Sequence, residues 1–307
     1  YMAALYYLIF PGFFFAAVAG LLTAWFDRKV TARVQWRQGP PILQNFYDVG
    51  KLLVKEVTIP ESAHPAVFLM APAVALSAAS LAAAMLGVVN MNWDYTFVGD
   101  LIVLWYILSL PSIMIIVGAS ASGNPLASVG ASREMNQLIG YALPIVIALA
   151  TVIFKVGSIN LGEILRYQAE HGPILYSVSG VIACIVVLIS IQAKLGLVPF
   201  DIPEAETELG AGVFMEYSGA ALGAFKLTKA ILLYTAPIFL ITLFWGGVHI
   251  KGLGILWVIL KYLLFVVLIT LIRNVNPRLR IDQSVKFFWC SLTILALIGL
   301  LLMFLGY

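Results

Sequence analysis

The chain has 307 residues, of which 62% are hydrophobic and only 11% are charged, and its mean hydropathy is +1.00. Soluble domains are about half apolar and about one quarter charged, so this composition excludes a soluble enzyme, a nucleic-acid-binding protein and a disordered chain. The net charge of +3 says little as an average, and the positions of the charges are more informative.

Eight stretches between the charges are apolar and long enough to cross a bilayer, which takes about 20 residues in a helix. They are continuous runs of Leu, Ile, Ala and Val and lack the alternation of outer-membrane strands. We therefore predict an all-α integral membrane protein, a single domain over 1–307, with about eight transmembrane helices and amphipathic helices in its cytoplasmic loops. The predicted spans lie near 4–26, 66–90, 101–119, 138–155, 174–193, 225–246, 253–272 and 287–306.

Basic residues indicate the orientation, because cytoplasmic loops retain positive charge. Lys and Arg concentrate in the stretches 27–57 and 273–286, and few occur in the loops on the opposite side. Arg133 and Lys194 are predicted to lie in the two remaining cytoplasmic loops. This pattern predicts a multi-pass protein of the cell membrane with both termini outside.

The chain lacks the motifs of a redox or nucleotide-binding protein. Its two cysteines, Cys184 and Cys290, are far apart, and His64, His171 and His249 are isolated. No CxxC pair, GxGxxG motif or Walker A motif is present. We expect no metal or redox cofactor in this chain, so any electrons must travel through partner subunits.

The stretch after the first span carries a basic helix face. Lys29, Arg33 and Arg37 are spaced i, i+4, i+8 and continue the first helix until Gly39-Pro40-Pro41 ends it. Membrane anchoring alone would account for about half of these basic residues.

An amphipathic helix is predicted directly afterwards. Phe46, Val49 and Leu53 form an apolar stripe, and Asp48 and Lys51 lie on another face. Such a helix can lie on the membrane surface or beneath a partner protein.

The stretch 194–217 holds a third of the chain's 15 acidic residues. Asp201, Glu204 and Glu208 are spaced i, i+3, i+7, which predicts one helix face on which like charges repel and titrate as a coupled group. The alternative is that Asp201 and Glu204 form a capping box with Pro203 in the first turn. Capping does not account for the other acids, so a proton-handling or charge-relay element is favoured. Its predicted members are Asp201, Glu204, Glu206, Glu208 and Glu216.

Three lysines lie within or beside the later spans. Lys226 and Lys229 begin the sixth span, where membrane anchoring and proton relay are equally good explanations. Lys261 lies near the middle of the seventh span, and a charge at that depth predicts a role in ion transfer. Its partner carboxylate is expected from an adjacent helix or a neighbouring subunit, with Glu216 the nearest candidate by membrane side.

Four segments carry a resemblance to a known family. They are DRKVTARVQWRQGPPILQNFYDVGKLLVKE at 27–56, GASRE at 130–134, PFDIPEAETELGAGVFMEYSG at 199–219 and NPRLRIDQ at 276–283. In this order they resemble the membrane-heel subunit of respiratory complex I (the ND1/NuoH type) and its relatives in energy-converting hydrogenases. The resemblance spans essentially the whole chain.

The resemblance implies a subunit without a redox centre that joins a hydrophilic electron-transfer arm to a membrane ion-pumping arm. Its implied partners are iron–sulfur and large hydrogenase-like subunits, antiporter-like membrane subunits and the lipid bilayer. Iron–sulfur clusters, and a nickel–iron site in hydrogenase members, would belong to those partners. The acidic residues would form a funnel into the membrane. The residues implied to line or brace the chamber and the arm junction are Arg28, Arg33, Arg37, Asp48, Arg133, Glu134, Arg278, Arg280 and Asp282.

One departure from the quinone-reducing members concerns the segment Arg37–Gln44, which is shorter than theirs. This shortening resembles the membrane-bound hydrogenases, formate hydrogenlyases and sulfane reductases. We therefore expect a subunit that couples such an electron-transfer arm to proton or sodium translocation.

Three other functions are alternatives to this one. The first is the quinone-binding subunit of an NADH:quinone oxidoreductase. The second is a stand-alone secondary transporter, which would show inverted repeats and midplane ligands. The third is a passive anchor, for which Lys261 and the clustered acids would be superfluous.

Overall fold

The computed structural model describes residues 2–248, 252 and 254–307, without the side chains of residues 2–4, 206 and 207. Across this described part 76% of the residues are helical and there is no strand. The helices are α1 Met2–Leu8, α2 Phe13–Val34, α3 Gln44–Val54, α4 Pro65–Met91, α5 Asp100–Ala121, α6 Pro125–Val156, α7 Leu161–His171, α8 Val178–Lys194, α9 Glu206–Leu209, α10 Gly219–Phe244, α11 Gly254–Val275, α12 Ile281–Lys286 and α13 Thr293–Phe304. A π-helical stretch, Phe287–Leu292, joins α12 to α13, and Ile174–Tyr176 and Gly212–Phe214 form 3₁₀ turns.

The helix ends follow the usual signals. α6 has Pro125 in its first turn, and the Asn124 side chain accepts a hydrogen bond from the amide of Leu126 at 2.8 Å. Gly157, with φ +78°, ends the same helix in the left-handed conformation that glycine adopts readily. These local signals fix where the long helices begin and end.

Helix α10 lies at the centre of the bundle and contacts α2, α3 and α4. Of its apolar stretch 78% of the residues are buried, against 22% for α11. A Cβ added at Gly20 of α2 would lie 2.6 Å from the carbonyl oxygen of Ala230, so this glycine permits close packing of α2 on α10. The peripheral helices present apolar side chains to the surroundings, as an integral membrane protein requires.

Within the described residues, seven helical segments are long and apolar enough to cross a membrane, and α8, with 17 residues, is shorter. Each of the eight predicted windows overlaps a helix, although the helix ends differ from the window ends. A break at residues 9–12 separates α1 from α2, and α6 begins 13 residues before its window. Hydropathy indicates only the apolar part of a helix, so it does not predict polar extensions such as the start of α6. The number and bounds of the membrane crossings stay a prediction.

Helix α8 ends inside the bundle. The side-chain amide of Gln137 on α6 donates to the carbonyls of Ala193 and Phe200, at 2.8 and 2.9 Å. Gln137 lies 12 residues into α6, about 18 Å along its axis. The acidic loop, residues 195–218, therefore starts between the helices. Lys194 is consequently not in a cytoplasmic loop as predicted, because the chain does not leave the bundle at that point.

Candidate functional site

The acidic loop does not form the predicted helix face. Residues 202–204 form a turn, and α9 begins only at Glu206. A Cβ at Gly212, which has φ +53°, would lie 2.1 Å from the carbonyl oxygen of Pro203. The loop is thus folded back on itself too tightly for a continuous helix. The i, i+3, i+7 prediction was wrong for this reason.

The acids point instead to separate partners on three segments, namely α6 with its N-cap, α10 and the stretch before α12. For Asp201, Glu204 and Glu208 an ion pair with a basic residue compensates the charge, whereas Glu216 binds a neutral amide. Asp201 accepts from Arg278 at 2.5 Å, Glu208 from Arg133 at 2.7 Å and Glu216 from the amide of Asn124 at 2.5 Å, while Glu204 forms an ion pair with Lys229. The side chain of Glu206 lies outside the described residues.

Two cavities meet at this loop. The larger one, about 570 Å³, lies between α2, α3, α10, α11 and the loop, and the smaller one measures about 280 Å³. Asp201 and Arg278 line both cavities, so their ion pair stands in the shared wall. The charged residues of the larger cavity are Asp27, Arg28, Asp48, Asp201, Glu204, Lys226, Lys229, Arg273 and Arg278. Those of the smaller cavity are Arg133, Asp201, Glu208, Arg278, Arg280 and Asp282.

The larger cavity has a second buried ion pair, which sequence analysis did not identify. Asp27 is only 4% exposed and accepts hydrogen bonds from Arg273 at 2.7 Å and from the hydroxyl of Thr270 at 2.8 Å. The sequence signal was the isolated acid beside Arg28 in an otherwise basic stretch. Arg28 itself forms an ion pair with Asp48 at 3.5 Å. These contacts join α2 to α11 and to α3.

The surroundings of Asp201 affect its titration. Burial raises its pKa above the ordinary value, while the charges of Arg278, Lys229 and Arg273 oppose that shift. The protonation of Asp201 therefore depends on which cations remain near it.

Glu134 lies deeper than the chamber wall to which the resemblance assigned it. The residue is buried in α6, and Ser112 of α5 is a polar group that interacts with its carboxyl. Lys229 of α10 interacts electrostatically with Glu134 and with Asp201, in addition to its ion pair with Glu204. Lys229 thus connects the acidic loop to a carboxyl inside the bundle.

Lys194 is a buried lysine that sequence analysis did not identify as a site residue. It is 8% exposed, and its Nζ lies 4.1 Å from the centre of the Trp105 ring. Nζ is buried without a hydrogen-bond partner in the described part of the chain. An isolated cation in such a place is energetically costly, which makes it a functional candidate.

Lys261 has a contact different from the expected one. Its Nζ donates to the carbonyl oxygen of Trp245, at 2.8 Å, just beyond the last residue of α10. Carbonyls at a helix C-terminus lack intrahelical partners, and a cation there is favoured by the helix dipole. Glu216, the suggested partner, binds Asn124 instead. Local structure thus offers Lys261 a capping role.

The remaining predicted residues lie at the periphery of the cavities. Arg280 and Asp282 line the smaller cavity at the start of α12, and Lys226 is an exposed residue of the larger one. Arg33, in the last turn of α2, and Arg37, just beyond that helix, are both exposed and line neither cavity. Among the described residues, no three His, Cys, Asp or Glu side chains come close enough to hold a metal ion.

Comparison with known proteins decides the family. A family model described as NADH dehydrogenase matches residues 6–304. The chain belongs to the NADH dehydrogenase family. It is a membrane subunit of the complex I (NuoH) type, as the four motif segments predicted.

Two curated relatives are NADH-quinone oxidoreductase subunits H. The one from Brevibacillus brevis is 35% identical, covering 97% of this chain and 92% of the relative. The one from Thermomicrobium roseum is 36% identical, covering 90% and 88%. Among solved structures, the chain is similar to one from the membrane-bound sulfane sulfur reductase, an archaeal respiratory membrane complex. That match has a TM-score of 0.86 and 26% identity, covering 99% of this chain and 100% of the other.

Proposed function

We propose that this chain couples electron transfer in a hydrophilic arm to proton or sodium translocation within a multisubunit respiratory complex of the cell membrane. The observation that carries the proposal is the position of Lys229, which pairs with Glu204 and interacts electrostatically with Asp201 and Glu134. A change of charge in the cavities can therefore reach a buried carboxyl through one side chain.

The proposed sequence of events begins at the wall between the cavities. A negative charge or a proton arriving in either cavity changes the balance between Asp201 and Arg278. Lys229 then shifts its interaction among Glu204, Asp201 and Glu134, since all three compete for the same cation. Protonation of Glu134 responds, and the change passes to neighbouring membrane subunits. Each step is an electrostatic shift and needs no redox centre in this chain.

The proposed partners are hydrophilic iron–sulfur and large hydrogenase-like subunits on the cytoplasmic face and antiporter-like subunits in the membrane. The similarity to the sulfane sulfur reductase and the short segment Arg37–Gln44 favour a hydrogenase or sulfane-reductase type of complex. Both chain termini are proposed to lie outside. A relay role for Glu206, Glu208, Glu216 and Lys226 is part of the same proposal.

Quinone binding is the second candidate. The cavity of about 570 Å³ is within the size range of small-molecule sites, and the curated relatives above are quinone-oxidoreductase subunits. Its many charged walls fit a quinone ring poorly, since such sites are mostly apolar. This candidate would be favoured if the purified complex reduced a short-chain quinone as fast as it reduces sulfur compounds or protons.

The test uses the whole complex, purified by a tag on this chain and reconstituted in vesicles. Ion uptake and electron flux are measured together, with reduced ferredoxin as donor and protons, polysulfide or a short-chain quinone as acceptor. Lys229→Met should keep electron flux and lose most ion uptake. Lys286→Met, which removes an exposed lysine on α12, is the matched control and should leave both unchanged. A normal ion-to-electron ratio in Lys229→Met would overturn the proposal.

A further inference from the structure

The turn that follows α2 exposes a tryptophan in a strained backbone conformation. Trp36 is 97% exposed and has φ +57°, and no other non-glycine residue in the described part of the chain has a positive φ. A helix commonly ends with glycine in this conformation, because a side chain there crowds the backbone. A bulky residue at such a position is an outlier, and strain of this kind tends to occur at functional sites.

The turn is held firmly from two sides. The amide of Arg37 donates to the carbonyl of Ala32 at 2.7 Å, which closes the helix end. The indole nitrogen of Trp25 donates to the carbonyl of Pro40 at 3.1 Å. From α11, Asn274 accepts from the side-chain amide of Gln35 at 3.2 Å. The exposed indole of Trp36 is therefore presented on a braced turn, which reduces the entropy lost on binding.

The position of the turn along α2 indicates water and not lipid around Trp36. Arg28 is half-exposed and paired with Asp48, so the aqueous side begins near that residue. From residue 28 to Val34, the end of α2, the helix rises about 9 Å. A headgroup layer is roughly 5–7 Å thick on each side of the bilayer. The indole thus lies beyond the depth where membrane tryptophans concentrate.

The charges around Trp36 narrow the kind of partner. Arg33 and Arg37 flank it, both are exposed, and neither forms an ion pair with an acidic residue in the described part of the chain. Tryptophan and arginine are the residues most enriched among energetic centres of protein interfaces. An exposed apolar ring with two exposed arginines near it in the chain complements an apolar recess rimmed by carboxylates.

We propose that Trp36, flanked by Arg33 and Arg37, anchors the docking of a soluble protein subunit that receives the indole in an apolar recess with acidic residues at its rim. The identity of that subunit rests on the proposed function, in which it belongs to the hydrophilic electron-transfer arm. The strain at Trp36 is then compensated in the assembled complex, where the indole is buried.

The test compares Trp36→Gly with wild type in the intact tagged complex. Glycine relieves the left-handed strain, so this variant should fold at least as well and keep the turn. Removing an interface anchor should make the soluble arm dissociate about tenfold faster or more after dilution. Dissociation is followed as the loss of iron per copy of this chain over time. Trp257→Leu, which alters a 64% exposed tryptophan on α11, is the control and should not change the dissociation rate.

Three outcomes overturn the inference. If the dissociation rate is unchanged in Trp36→Gly, the inference is overturned but the proposed function is not. If the wild-type complex contains no soluble iron-containing subunit, both are overturned. The fluorescence of Trp36 is obtained as the difference in emission between wild type and Trp36→Phe. If brominated lipids quench that fluorescence, the indole lies in the bilayer. That result would also overturn the inference.

Discussion

Asp201 and Arg278 form an ion pair, with 2.5 Å between Oδ2 and Nη2, in the wall that separates two charged cavities. Asp201 belongs to the acidic loop and Arg278 to the segment before α12, so the pair joins two parts of the chain 77 residues apart. Opening it would connect the cavities and leave a half-buried carboxylate without its nearest cation. The pair is therefore placed to act as a gate for charge.

The first prediction concerns the pH dependence of coupling. Arg278 lowers the pKa of Asp201 against the larger effect of burial. In Arg278→Gln the pKa of Asp201 should rise further. If ion uptake needs the carboxylate, the pH below which uptake falls (the acid limb of the profile) should then be higher than in wild type. The measurement is the pH profile of ion uptake per electron. Asp201→Asn has no carboxylate and should therefore show low ion uptake per electron at every pH. An unshifted acid limb in Arg278→Gln would contradict the prediction.

The second prediction follows from the sign of the same shift. Because the pKa of Asp201 is higher in the folded chain than its ordinary 3.8, its protonated form is the one that folding favours. That stabilisation is complete below the unfolded pKa and is lost as pH rises through the folded pKa. Asp201→Asn should therefore gain thermal stability relative to wild type as pH rises from about 4. A constant difference in melting temperature across pH would refute it.

The third prediction tests the pair between Glu204 and Lys229 by a double-mutant cycle. Glu204→Gln removes the ion pair of Lys229 and should destabilise the subunit by about 1–2 kcal/mol, a discounted value since both side chains remain 31% exposed. Adding Lys229→Met should recover that stability but not ion uptake. Thermal unfolding and the ion-to-electron ratio are measured for all four proteins. Additive stability effects would show that the two side chains are not coupled.

The architecture was predictable because apolar runs are sufficient evidence for membrane helices. All eight windows overlap helices. Asp201, Glu204 and Glu208 of the acidic loop line the cavities, as do Arg28 and Asp48 of the basic stretch, whereas Glu216, Arg33 and Arg37 do not. Spacing alone failed for Asp201, Glu204 and Glu208, because helical periodicity assumes a continuous helix. The turn at 202–204 and the contact of Gly212 with Pro203 depend on tertiary packing.

The depth of a residue was the other feature that sequence could not supply. Lys194 follows an apolar run and looked like a loop lysine, but α8 is short and ends inside the bundle. Asp27 and Arg273 lie far apart in sequence, so their pairing required the packing of α2 against α11. The hydrogen bond of Lys261 to a backbone carbonyl could not be predicted either, because every residue has such a carbonyl and the sequence does not indicate which one is close.

The fourth prediction concerns Lys261, for which an ion-transfer role was predicted and remains untested. The bond to the Trp245 carbonyl supports a capping role at the end of α10. Lys261→Met should lower the melting temperature by a few degrees, because it removes a charged donor worth roughly 1 kcal/mol from that carbonyl. The ion-to-electron ratio of the reconstituted complex should stay normal. A lost ratio with unchanged stability would instead support the ion-transfer role.

The fifth prediction concerns Lys194, whose Nζ is buried beside Trp105 without a hydrogen-bond partner among the described residues. Methionine has a similar shape and no charge, so Lys194→Met should stabilise the subunit by roughly 1–3 kcal/mol, the usual cost of an unsatisfied buried polar group. Natural proteins tolerate such a cost mainly where function requires it, so we expect ion uptake per electron to fall. Cys184→Ala, another buried substitution on α8, is the control and should not alter that ratio. Higher stability with normal coupling would make Lys194 a structural residue, and lower stability would show that Nζ has a partner in the assembled complex.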